Sequence, residues 1–137
     1  MKTKGYLLDT NICISMLKNQ HGVREAILKV KPENCYVSEI TLGELYFGAS
    51  FSNNKEERLK DVAFVIDHFK VIPVSETLPL FGDIKADLRR EGKLIDDFDI
   101  LIGCAAILNH LTIVTDNIKH LGRLPGIIVE NWTNRSI

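Results

Sequence analysis

The sequence predicts an α/β fold, a three-layer α/β/α sandwich around a short, mainly parallel central sheet. Three observations lead there. Short apolar runs alternate with longer segments of helical period, as strands do when crossover helices join them. The helical segment at residues 98–108 is apolar nearly all round, so it needs neighbours on every side. Two of the runs lead into related tripeptides, Asp9-Thr10-Asn11 and Thr115-Asp116-Asn117, and in a parallel sheet both strand ends face one edge.

The elements follow in order. Residues 5–8 form the first strand, and Asp9 stands where it gives way to a helix over residues 11–18, capped by Asp9 or Thr10. A polar break leads to a second helix, residues 23–30, which stops short of Pro32. Residues 35–38 are the second strand, and Ser38 is placed to cap a helix over residues 40–51. There Ile40, Phe47 and Phe51 share one face with Glu44, and Tyr46, Phe47 and Phe51 are expected in the core, the alternative being that one or two form an apolar surface covered by a partner's helix. In the next helix Leu59, Val62, Ala63, Ile66 and Phe69 recur at i, i+3, i+4, i+7 spacing. Pro73 confines residues 71–74 to a short or edge strand. Ser75 is expected to cap a helix with Leu78, Phe81, Ile84 and Leu88 inward and Lys85, Arg89 and Arg90 outward, ending at Gly92. Asp96 or Asp97 caps the apolar helix, whose Gly103, Ala105 and Ala106 permit close packing. A strand at 111–114, a short helix at 118–121 and a strand at 127–129 complete one domain spanning residues 1–137.

At 137 residues the chain can bury a substantial core. Its net charge of −1 carries no overall signature of nucleic-acid binding, although an acidic site can mask a local basic rim. Cys13, Cys35 and Cys104 lie in apolar contexts without a Cys-x-x-Cys, which suits buried thiols in a reducing compartment. The apolar run after the first lysines is too short for a signal peptide. The longest apolar stretch, residues 100–108, is far below the ~20 residues of a membrane span, so a cytoplasmic protein is expected.

Four acids carry the chemistry. Asp9 and Asp116 end strands, Asp99 lies in the first turn of the apolar helix, and Glu44 sits mid-helix among Leu42, Leu45, Tyr46 and Phe47. Singly, each has a structural reading: a helix cap, a partner of the helix dipole, or a solvated side chain. Gathered at one edge, four carboxylates repel each other and burial opposes their ionisation. No lysine or arginine lies within three residues of Asp9, Glu44 or Asp99 along the chain. A divalent cation is the natural counter-charge, and all-oxygen ligands favour Mg2+ or Mn2+. Such a site suits phosphodiester hydrolysis, with the ion acidifying water and a second carboxylate positioning or deprotonating it. Asn11, Ser38 and Thr115 are short hydrogen-bonding side chains beside the acids, suited to support them or to contact a scissile phosphate.

Leu-Leu-Asp-Thr-Asn-Ile from Leu7, Ser-Glu-Ile-Thr-Leu-Gly-Glu-Leu-Tyr-Phe-Gly-Ala from Ser38, Gly-x-x-Ile-x-Asp-Phe-Asp-Ile-Leu-Ile-Gly from Gly92 and Thr-Ile-Val-Thr-Asp-Asn from Thr112 together resemble the PIN-domain ribonucleases. The likeness is nearest to VapC-type toxins of bacterial toxin–antitoxin pairs. It covers essentially the whole chain, through Ile-Ile-Val-Glu-Asn-Trp at residues 127–132. Gly103 and Cys104 stand where the family often has two alanines. The resemblance implies a PIN-like sandwich and Mg2+- or Mn2+-dependent endonucleolytic cleavage of RNA, often tRNA or rRNA. It places the catalytic acids at Asp9, Glu44, Asp99 and Asp116, with Asp9, Asp99 and Asp116 toward the metal, Asn11 and Thr115 as polar neighbours and Asp97 as an accessory. It also implies a homodimer and a VapB-type antitoxin whose C-terminal segment blocks the site.

Lys85, Arg89, Arg90, Lys93, Lys119 and Arg123 are candidate RNA contacts, against the alternative of a solvated charged face. Three other readings are weighed, one of them a non-catalytic binding module that keeps the fold, which the presence of all four acids disfavours. An aspartate-based phosphoryl-transfer enzyme would want an aspartate where Asn11 stands, or a lysine after a late strand where Glu130-Asn131-Trp132 stand. A PIN nuclease of RNA processing, outside any toxin–antitoxin pair, is the nearer alternative.

Overall fold

The computed structural model describes residues 3–133; Met1, Lys2 and residues 134–137 lie outside the described residues. Five parallel strands form one sheet in the order β3-β2-β1-β4-β5. They are β1 (Tyr6–Leu8), β2 (Cys35–Ser38), β3 (Lys70–Ile72), β4 (Thr112–Val114) and β5 (Val129–Glu130). The helices are α1 (Thr10–Leu17), α2 (Val23–Val30), α3 (Glu39–Phe51), α4 (Lys55–His68), α5 (Leu78–Arg90), α6 (Asp97–Leu108) and α7 (Ile118–Leu121). No helix among the described residues is long and apolar enough to cross a membrane.

Strand alternation builds the layers. Leu8, Val37 and Val114 point to one face of the sheet, where α1, α2 and α4 bury Ile12, Met16, Ile27 and Val65. Leu7 and Ile113 point to the other, where α5, α6 and α7 bury Ile84, Leu88, Ile100 and Leu121. The chain steps outward from β1 to β2 to β3, then returns across the sheet to β4. Right-handed crossovers require the helices to change face when the direction reverses. The reversal falls between β1 and β4, the place where open α/β sheets bind ligands. Tyr6 packs on Trp132 with ring centroids 5.1 Å apart, which ties the chain's end to the central strand.

Several expectations meet corrections. Asp9, not Thr10, caps α1, which begins one residue early. The strand near Pro73 lies at the sheet edge as expected but shifts to Lys70–Ile72, leaving the proline just past its last residue. Ser75 caps nothing: Ser75–Thr77 is a 3-10 turn, and α5 follows from Leu78, itself 50% exposed rather than inward. On α4 the buried face is Val62, Val65 and Phe69, while Ala63 and Ile66 face out. The last strand is also displaced, to Val129–Glu130. The largest error concerns α3, where Phe47 and Phe51 are 69% and 81% exposed and Tyr46 is exposed as well. Thr41 and Ala49 take the buried positions instead.

Gly5 opens the central strand at φ +153°, and a Cβ there would meet the backbone oxygen of Asn34 at 2.6 Å. Asn34 closes the 3-10 turn that leads straight into β2, so its backbone cannot step aside without moving that strand. Gly5→Ala is therefore expected to cost on the order of 2–3 kcal/mol of stability. Urea unfolding checks this, and a midpoint equal to that of the wild type would refute it.

Candidate active site

The switch point places Asp9 first. Its backbone N–H donates to Val114 O at 2.9 Å, continuing the β1–β4 pairing one residue beyond the end of β1. The side chain is 5% exposed and fully engaged. Oδ1 accepts from the Thr10 N–H at 2.8 Å, and Oδ2 accepts from the Thr115 hydroxyl at 2.7 Å. Thr115 is itself buried and accepts the Asn117 N–H at 2.9 Å, so the loop after β4 is folded around the carboxylate it serves.

Glu44 comes from the middle of α3, whose start is fixed by Ser38 accepting the Ile40 N–H at 3.0 Å. It accepts a 2.6 Å hydrogen bond from the Thr10 hydroxyl. Asp99 lies in the first turn of α6, capped by Asp96 through a 2.8 Å bond to the Phe98 N–H. Its Oδ2 accepts from Asn117 Nδ2 at 3.3 Å. Asp116 adds its charge to the field at Asp9.

The electrostatics follow from burial and like charge. Burial raises the Asp9 pKa most, opposed by the Thr115 and Thr10 hydrogen bonds and reinforced by Asp116. Burial likewise raises Glu44, opposed by Thr10 and reinforced by Asp9 and Asp96. Asp99 is pushed up to about 6, by burial first and then by Asp9, Asp96 and Glu44. Among the described residues none of Asp9, Glu44 and Asp99 forms a salt bridge. The donors are hard oxygens carrying excess negative charge, which suits a hard divalent cation. Among the described residues no three acidic, histidine or cysteine side chains form a ready-made cage for one ion. That too is compatible with Mg2+, which takes one or two carboxylates directly and keeps several waters.

The structure thus brings Asp9, Glu44 and Asp99 within electrostatic reach of one another and Asp116 within reach of Asp9, with Thr115 bonded to Asp9. Other expected neighbours stand elsewhere. Asp97 turns away to Lys85, at 2.9 Å, and Asp96 is the aspartate whose charge reaches the cluster. Asn11 is exposed on the first turn of α1 and has no hydrogen bond to the acids among the described residues. Ser38 acts as a helix cap. Of the basic candidates, Lys85 pairs with Asp97, Arg90 with Asp87 at 3.1 Å, and Arg123 donates to the carbonyls of Lys93 and Leu94 at 3.2 and 3.3 Å. Arg89, Lys93 and Lys119 are exposed. Sequence reasoning missed Thr10, Thr41 and Asn117. Thr41 sits three residues before Glu44 on one helix face, and Asn117 closes the turn that starts at Thr115; both signals were in the motifs.

A short parallel sheet with helices on both faces and a carboxylate cluster at its switch point defines an α/β protein of the acid-site nuclease class. The chain belongs to the PIN domain family, whose model matches residues 6–125, and within it to the VapC ribonucleases. It is 34% identical over 131 residues to Ribonuclease VapC2 of Rickettsia felis, covering 93% of this chain and 97% of that protein. It is 34% identical over 129 residues to the tRNA(fMet)-specific endonuclease VapC of Salmonella typhimurium, at the same coverage. The crystal structure of DNA-bound VapBC from Salmonella typhimurium superposes with a TM-score of 0.85 at 32% identity, covering 93% of this chain and 98% of that one.

Proposed function

We propose that the protein is a Mg2+- or Mn2+-dependent endoribonuclease, the toxin of a VapBC-type pair, which cuts tRNA or rRNA and so inhibits translation. The observation that carries this is the set of acids at the switch point, three of them without a cationic partner among the described residues, in a chain whose relatives are named ribonucleases. Asp9, Asp99 and Asp116 would hold a divalent cation between them, one or two directly and the rest through its waters, and such an ion would supply positive charge to the scissile phosphate and acidify water at the site. Glu44 is the acid left to orient that water and accept its proton. Thr115 keeps Asp9 in one rotamer, and Asn117 does the same for Asp99.

The surface supports the partners. A groove of about 570 Å3 between α1, α2 and α4, lined by Met16, Ile27, Leu28, Phe64 and Phe69, suits an apolar peptide segment such as an antitoxin tail. Phe47 and Phe51 stack at 5.8 Å on the exposed side of α3, an apolar surface that suits a homodimer. The three free, buried thiols fit a cytoplasmic setting.

The test is cleavage of structured RNA by the purified protein. Cutting is expected with Mg2+ or Mn2+, none with EDTA, and none after addition of the cognate antitoxin. Cleavage that persists in EDTA overturns the metal dependence. Mapping RNA 5′ ends after brief expression in cells identifies the substrate.

A further inference from the structure

We infer that Thr10, held in turn by Thr41, is a positioning residue that sets where the Glu44 carboxylate stands relative to Asp9. The role assigned to Glu44 rests on the ribonuclease reading; its placement does not. Glu44 and Asp9 come from different elements, α3 and the end of β1, and like charge drives them apart. Thr10 touches both. Its backbone N–H donates to Asp9 Oδ1 at 2.8 Å, and its hydroxyl donates to Glu44 Oε1 at 2.6 Å.

Proton counting then fixes the direction of a third bond. A hydroxyl has one proton. Thr10 gives its proton to Glu44, an ionised acceptor, so in the 3.0 Å contact with Thr41 it must be the acceptor and Thr41 the donor. The result is a directed chain, Thr41 to Thr10 to Glu44, each link polarising the next. Thr41 is fully buried, and in a helix its hydroxyl would ordinarily turn back to a carbonyl of the preceding turn. Donation to Thr10 instead holds that hydroxyl's lone pair and leaves its proton aimed at Glu44. Thr41 and Glu44 are three residues apart on α3, so α3 supplies both ends of the chain and α1 supplies its middle. Without the Thr10 hydroxyl, Glu44 has no hydrogen bond among the described residues to keep it near a like charge, and solvent draws it outward.

The experiment uses the full chain. Protein labelled with 13C at glutamate carboxyls gives a Glu44 signal, assigned by its loss in Glu44→Ala. Thr10→Val and Thr41→Val are expected to move that signal, and Thr10→Ser to leave it in place. In RNA cleavage Thr10→Val should lower kcat roughly tenfold to a hundredfold with KM little changed, the range that partners of site ligands carry. Thr10→Ser should restore most of it. In the Glu44→Ala background Thr10→Val should cause no further loss. A Glu44 signal unmoved by Thr10→Val, or an equal further loss in the Glu44→Ala background, would overturn the inference. Should Thr10→Val not fold, Thr41→Val carries the same test. Wild-type protein that leaves RNA uncut would sink the ribonuclease reading alone, because the carboxyl signal still decides the positioning.

Discussion

Asp9→Asn is expected to lower RNA cleavage at least about a hundredfold, because under the proposed mechanism it removes a charge from the centre of the site where a metal would bind and a proton would move. The fold should survive. An asparagine at this position keeps an oxygen to accept the Thr10 N–H, and its amide can donate to Thr115, whose hydroxyl already accepts from Asn117. The wild-type carboxylate is buried, and burial is the main reason its pKa is raised, so its charge opposes folding at neutral pH. The variant is therefore expected to melt at or above the wild-type temperature while losing activity. Single-turnover cleavage beside a thermal melt checks both halves. A variant that cuts at the wild-type rate removes Asp9 from the mechanism. One that loses activity by unfolding shows that the side chain holds the loop after β4 and reveals nothing of the chemistry.

The second large effect is on stability against pH in metal-free protein. Asp99 rises to about 6 in the folded chain, and Asp9 and Glu44 are raised with it. An unfolded aspartate titrates near ~3.9. Between those values the folded state binds more protons than the unfolded one, so stability falls as pH rises through that window. In EDTA the melting temperature should be higher at pH 5 than at pH 7.5. Under the proposed metal dependence Mg2+ or Mn2+ would bind the ionised carboxylates, so at pH 7.5 a hundredfold excess over Kd should stabilise by about 2.7 kcal/mol, and at pH 5 by less. Asp99→Asn should flatten the metal-free slope, since the amide keeps an oxygen for the 3.3 Å bond from Asn117 and loses the titration. Melting temperatures that rise with pH in EDTA, or a slope unchanged in Asp99→Asn, would contradict this account of the site.

Much of the architecture could be read from local patterns. Leu7, Leu8, Ile113 and Val114 are apolar on both faces because parallel strands are covered on both sides, and the run itself says so. The cap at Ser38 and the apolar helix from Asp97 have equally local causes. Where the reading failed, more than one face of a helix was apolar. On α3 the 3.6-residue period fits the row of Ile40, Phe47 and Phe51 as well as the row of Thr41 and Ala49. Period alone cannot choose between a core face and a surface kept apolar for a partner. Ala63 and Ile66 on α4 went wrong for the same reason.

The site divides along the same line. By itself the sequence pointed to the four acids, to their hard-oxygen donor chemistry and to Thr115 beside them, because those depend on residue type and its place in an element. Only the tertiary structure decided which short polar side chain serves which carboxylate. It turned Asp97 out to Lys85, left Asn11 in solvent, and joined Thr10 and Thr41 from different helices onto Glu44. The physical reason is range. Hydrogen bonds act over about 3 Å between groups that can be a hundred residues apart, and no local period encodes that meeting.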